Sequence, residues 1–110
     1  MNPDQRIVAF QAFVAKSPGD AFARYSLAMA LRSAGRLEEA VREFEENVRR
    51  CPDYVPTYLM LGQSLEALGR APGAAAAYEQ GVAAAGRAGD SHAASEIGGA
   101  LEALRAKGTT

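Results

Sequence analysis

The residues of this chain that could do chemistry are few. His92 is the only histidine and stands in the run Asp90-Ser91-His92, which holds the residue types of a hydrolytic triad. A triad needs the imidazole to face both the hydroxyl and the carboxylate. Neighbouring residues on a helix point in different directions, so this run does not supply that geometry. A single histidine also rules out sites built on a histidine pair. Cys51, the only cysteine, has no internal disulfide partner and reads as partly buried filler. The runs Gly69-Arg70-Ala71-Pro72-Gly73 and Gly86-Arg87-Ala88-Gly89-Asp90 lack the preceding strand and the lysine of a phosphate loop, and read as helix stops. The expectation is therefore no catalytic residue, no cofactor and no metal. The chain reads as something other than an enzyme.

What remains is surface, and surface has to be positioned by helices. Of 110 residues, 24 are alanine, and none is tryptophan. Alanine is the best helix former and β-branched residues are sparse, so the composition favours close-packed helices. The formal net charge of −1 gives no reason to expect nucleic acid or an anionic membrane as a partner. No apolar run approaches the roughly 18 residues of a membrane span, and the first residues lack the order of a secretory signal. A cytoplasmic setting is the default expectation. The stretch 37–50 carries Glu38/Arg42, Glu45/Arg49 and Glu46/Arg50, each spaced by four with the acid first. Such pairs stabilise a helix by about 0.2–0.5 kcal/mol each and mark a solvated outer face.

The chain repeats itself. Residues 21–54 align with 55–88 at a shift of 34, with coincidences at Leu27/Leu61, Leu31/Leu65, Gly35/Gly69, Arg36/Arg70, Ala40/Ala74, Glu45/Glu79 and Val48/Val82. Ala28/Gly62 and Phe44/Tyr78 match in size. Each unit has the grammar helix, turn, helix. Asp20 caps a first helix with the stripe Leu27, Ala28, Leu31 and Ala34. Gly35 supplies the left-handed residue that ends it. A second helix from about Leu37 to Arg50 carries Ala40, Val41, Phe44 and Val48; Pro52 stops it and Asp53 caps the next. In the second unit Gly69 takes the part of Gly35, and Pro72 sits harmlessly in a first helical turn.

The ends read as half units. Residues 4–20 align with 38–54 through Phe10/Phe44, Val14/Val48 and Pro18/Pro52, which is a lone second helix. Arg6 falls where Ala40 and Ala74 stand, and Phe13 where Asn47 and Gly81 stand. The octet 61–68 returns as 97–104 at a shift of 36, which predicts a helix from Ala71 to about Arg87. Asp90 or Ser91 then caps a final helix with Ile97, Leu101 and Leu104 inward. The last four residues read as a frayed tail.

The pattern Leu27-Ala28, Leu31, Ala40, Phe44, Pro52, then Tyr58, Leu61-Gly62, Leu65, Ala74, Tyr78, resembles the tetratricopeptide repeat family. The resemblance implies an all-α fold, a right-handed superhelix of antiparallel helix pairs with about six helices. It implies a single domain over 1–110: a half-repeat helix at 3–17, repeats at 21–54 and 55–88, and a capping helix at 90–107. Two such cap-like ends and a starting Met suggest a complete chain.

In that family the first helix of each unit lines a concave groove that holds a peptide or partner helix. Carried over by alignment, the groove shows Phe22, Tyr25, Met29 and Arg32, then Leu59, Gln63 and Glu66. The same carry-over places Ser33, Pro56, Ala67, Ser95, Gly99 and Glu102 in the groove. Phe22, Tyr25 and Met29 form a second apolar stripe, away from Leu27 and Leu31, and either pack inside or face a ligand. A subset of the family clamps acidic chain ends with Lys, Asn and Arg. The aligned positions here hold Tyr25, Met29 and Met60, which disfavours that ligand. The implied function is an adaptor that offers an apolar groove to an apolar or amphipathic segment of a partner protein. The alternative is self-assembly, a homodimer through the groove or through the N-terminal helix, whose Ile7, Val8, Phe10, Phe13 and Val14 exceed what one neighbour covers.

Overall fold

The computed structural model describes residues 2–108, and these form six helices and no strand. They are α1 (Pro3–Lys16), α2 (Ala21–Ser33), α3 (Leu37–Arg50), α4 (Pro56–Ala67), α5 (Ala71–Ala88) and α6 (Ser91–Gly108). Consecutive helices pack on one another, and α4 also touches α2 on one side and α6 on the other. The first helices α2, α4 and α6 thus stand side by side, with α1, α3 and α5 behind them. This is an α-solenoid, 41 × 30 × 20 Å.

Local chemistry sets the helix ends. Asp20 accepts a hydrogen bond from the Ala23 amide and Asp90 one from the Ala93 amide, each at 3.0 Å. Asn2 and Gln5 cap α1 reciprocally: each side chain accepts from the other's amide, at 2.8 and 3.1 Å. The stops at Gly35, Gly69 and Gly89 share one device. Each glycine has positive φ (78°, 74° and 68°), and the amide after it reaches back to Leu31, Leu65 or Ala85 at 2.9 Å. The long α5 therefore ends at Gly89, not at Gly86, which takes the place of Pro52.

Two local expectations fail. Asp53 does not cap α4: Val55 holds the cap position with no side-chain bond, and Asp53 pairs instead with Arg87 at 3.1 Å. The tail residues Lys107 and Gly108 belong to α6, and the final two, 109–110, lie outside the described residues.

The core is built on size matching between first and second helices. Leu27, Leu31, Leu61, Leu65, Ile97 and Leu101 are buried along it, and Ala28, Ala40 and Ala74 are completely enclosed. Phe44 and Tyr78 fill the space beside those small residues, with no exposed surface. The approach is closest at Gly62, where a Cβ would lie 2.1 Å from Tyr78 Cε1, and at Gly81, where one would lie 2.6 Å from Tyr58 Cβ. Asn47 takes the place of Gly81 in the first unit and works differently. Its buried amide donates to the Ala21 carbonyl and the Thr57 hydroxyl, both at 3.1 Å. One side chain thereby ties α3 to the starts of α2 and α4.

The charged face of α3 is solvated as expected, with partners rearranged. Glu46 takes both Arg49 and Arg50, Arg36 pairs with Glu39, and Glu38 reaches across to Arg70 at 2.6 Å. Hydrogen bonds from Arg49 and then Arg50 hold the Glu46 carboxyl down at about 2. A folded pKa below the ordinary 4.5 means the contribution is complete above that value and is lost as pH falls towards 2. The melting-temperature gap between wild type and Glu46→Gln, open at pH 6, is expected to close by about pH 2 in a pH series of thermal melts.

Candidate protein-binding groove

The groove is the face where α2, α4 and α6 stand side by side. Phe22, Tyr25 and Met29 lie along α2 at helical spacing and line a hollow of about 360 Å³, whose other wall is Arg6 and Phe10 of α1. Tyr25 also borders a second hollow of about 240 Å³, with Leu59 and Met60 of α4 and Asp90 and Glu96 at its acidic rim. One aromatic side chain is therefore shared by two adjacent hollows. Its ring stands 6.1 Å from that of Phe44 and, edge-on, 5.8 Å from that of Tyr54. Burial raises the Tyr25 phenol above its ordinary pKa, with nearby Arg32 offsetting part of the effect. Tyr25 is thus half core and half surface, as is Met29. The two readings of this stripe divide along the helix, for Phe22 stays 65% exposed.

The polar positions sort differently. Arg32 Nη2 donates to Gln63 Oε1 at 3.1 Å, so these two are brought together across α2 and α4. Glu66 stands apart. Its carboxylate accepts the Tyr78 hydroxyl and lies 3.6 Å from Lys107 Nζ. Burial and that bond push the Tyr78 phenol far above its ordinary pKa. Glu66 therefore fixes a core tyrosine from the groove side, a role that alignment did not suggest.

Alignment also passed over Arg6, Phe10 and the acidic rim. Among the described residues no first helix of its own packs on α1, so its aromatic residue opens towards the groove. The equivalence of Phe10 and Phe44 carried that signal. A further hollow of about 290 Å³ lies between α1 and α2, lined by Phe10, Phe13, Lys16, Asp20 and Phe22. Arg24 occupies the place of Tyr58, buried and paired with Glu43 at 2.7 Å, with its Nε unpartnered.

His92 is exposed in the first turn of α6, and Asp90 beside it is engaged as the helix cap. Among the described residues no three His, Cys, Asp or Glu side chains gather as a metal site requires. No described helix is long and apolar enough to cross a membrane.

No family model matches the sequence. A TPR repeat-containing protein of Pseudomonas aeruginosa is 32% identical over 91 residues, 83% of this chain and 87% of that protein. Among solved structures, a tetratricopeptide repeat domain protein of Salinibacter ruber is 36% identical with a TM-score of 0.76, over 80% of this chain and 89% of that one. PcrH of Pseudomonas aeruginosa, solved in complex with the chaperone binding region of PopD, superposes with a TM-score of 0.88 at 22% identity, over 96% of this chain and 80% of that one. The repeat register, the paired small and aromatic residues and these likenesses agree: the chain belongs to the tetratricopeptide repeat family.

Proposed function

We propose that this protein is a non-catalytic, cytoplasmic interaction module. Its single domain, 1–110, holds repeats at 21–54 and 55–88 between a half-repeat at 3–17 and a capping helix at 90–107. The observation that carries the reading is the pair of apolar hollows joined at Tyr25. A peptide or helix with two or three apolar anchors fits such a row. Phe22 and Met29 would contact one anchor and Leu59 the next, with Tyr25 between. Arg32 and Gln63 would offer polar contacts further along. Glu66, bound to Tyr78, contributes mainly by holding the groove's far end in shape. That PcrH, which shares this fold, is solved in complex with the chaperone binding region of PopD supports a protein-binding role.

Each anchor of Leu or Phe size gives roughly 1.5–3 kcal/mol. Two or three of them, less the cost of ordering, give affinity of about a micromolar. Phe22→Ala and Leu59→Ala are expected to weaken partner binding about tenfold or more each, by loss of an anchor. Phe22→Ala should leave the melting temperature within about a degree or two, since that side chain is mostly exposed. Tyr25→Ala is a poorer probe because the ring packs on Phe44. The test is photo-crosslinking in the native cytoplasm from position 22 or 59, against position 42 on the outer face. Adducts from the groove positions alone support the reading. Equal labelling from position 42 overturns it.

Self-association is the second reading. It is favoured by Val8 and Phe13 on α1, which are 63% and 60% exposed.

A further inference from the structure

α1 has the residue pattern of a second helix, yet among the described residues no first helix of its own packs on it. In the whole units the second helix presses an aromatic side chain against its own first helix, and Phe44 and Tyr78 are completely enclosed there. Phe10 holds that register on α1 and is only half-buried, and Phe13 beside it is largely exposed. α6 is the converse: among the described residues no second helix of its own packs on it. Ile97 on α6 reaches Gly81 on α5, as a first helix does to the unit before it. Gly98 stands where Gly62 stands, but no aromatic ring closes on it: a Cβ there would meet only Val82 Cγ2, at 4.0 Å.

We propose that α1 of one copy packs on α6 of another, completing across the joint the unit that each presents in halves, so that copies add head to tail. Three matches carry this, each read from an internal interface. Phe10 would lie opposite Gly98 as Tyr78 lies opposite Gly62. In the second unit Tyr58 is large and Gly81 small, in contact. Across the joint the sizes are exchanged, with Ala94 in the place of Tyr58 and Phe13 in that of Gly81.

The third match is charge. Glu66 reaches from its first helix to the aromatic residue of the second. Glu102 holds the same place on α6 and is exposed, and Arg6 lies one turn from Phe10. The two charges are complementary across the joint. Arg6 also replaces the enclosed Ala40 and Ala74, so the helices cannot approach as closely as within a unit. The joint is therefore weaker than the internal ones and comes apart on dilution. Because the two surfaces differ, the association is heterologous and leaves a free end after each addition.

This extends the self-association reading and competes with the groove at one end: the neighbour's α6 would cover Arg6 and Phe10, which wall the hollow beside Phe22, while the hollow at Leu59 and Met60 stays open. The test uses the full chain with Cys51→Ser. Phe13→Cys and Ala94→Cys variants are mixed with oxidised glutathione as oxidant, and a chain carrying both substitutions is oxidised alone. The mixed disulfide and a ladder of multiples from the double variant are expected. A Phe13→Cys protein that links mainly to itself shows a symmetric pair and overturns the proposal, as does the absence of any linkage. Sedimentation at high concentration gives a second readout. Arg6→Glu and Glu102→Arg should each weaken association about fivefold, and the double variant should restore it. Failure of the double variant to restore it overturns the assigned pairing.

Discussion

Tyr78→Ala is expected to destabilise the domain by about 3–5 kcal/mol, among the largest effects of any single substitution. The ring is fully enclosed between α4 and α5, and its hydroxyl satisfies Glu66. Gly62→Ala probes the same contact from the other side. Alanine gains nearly 1 kcal/mol over glycine in a helix interior, so propensity alone predicts stabilisation. The new methyl, however, would lie within 2.5 Å of three atoms of the Tyr78 ring. That ring cannot swing away, because it is enclosed and bonded at its tip. Overpacking of this kind costs about 1–3 kcal/mol, so the steric effect wins. In the Tyr78→Ala background the clash is gone, and Gly62→Ala should turn neutral or favourable. Urea titrations of the four proteins measure the coupling. Simple additivity would show that Gly62 is small for some reason other than the aromatic residue facing it.

The second large effect is at Asn47. Asn47→Asp exchanges a donor of two hydrogen bonds for a carboxylate that faces the Ala21 carbonyl in a site 1% exposed. An uncompensated buried charge costs about 3–5 kcal/mol, whereas the protonated acid can still donate one bond. Burial and the facing carbonyl both raise the folded pKa above the unfolded value of about 3.9. The variant's stability relative to wild type is therefore fullest below about pH 4 and is lost as pH rises through the raised folded pKa. Denaturant midpoints of both proteins from pH 3.5 to 8 check the sign. A difference that stays flat with pH would show that the new carboxylate reaches water. The same network explains why Asn is tolerated where the second unit has Gly: it converts a close approach into a three-helix tie.

The helix stops were legible because their causes are local. A glycine at positive φ and the amide after it close a helix using residues within one turn, so Gly35 and Gly69 announce themselves. The length of α5 was legible for the same reason, because its missing proline shifts the stop to the next usable glycine. The cap on α4 was not. Asp53 could bond a nearby amide or a distant guanidinium, and Arg87, thirty-four residues on, decides the matter.

The groove divides along the same line. The period of 34 places Phe22, Tyr25 and Met29 on one face of a first helix, and Leu59, Gln63 and Glu66 on the next. Repetition of residue size, Ala28 or Gly62 against Phe44 or Tyr78, determines how those helices cross. So much is written in the sequence by itself: the units, their order, and the small-against-large contacts that stack them. It follows from short-range helix geometry and from close packing, both of which act wherever the pattern occurs.

Only the tertiary structure decides what each groove residue spends its side chain on. Tyr25 divides itself between Phe44, Tyr54 and two hollows, Arg32 finds Gln63, and Glu66 turns to Tyr78. Phe10 opens into the groove because no described helix stands where its own first helix would. These choices set partners from different helices in competition, and distance in three dimensions settles them; spacing along the chain carries no record of it.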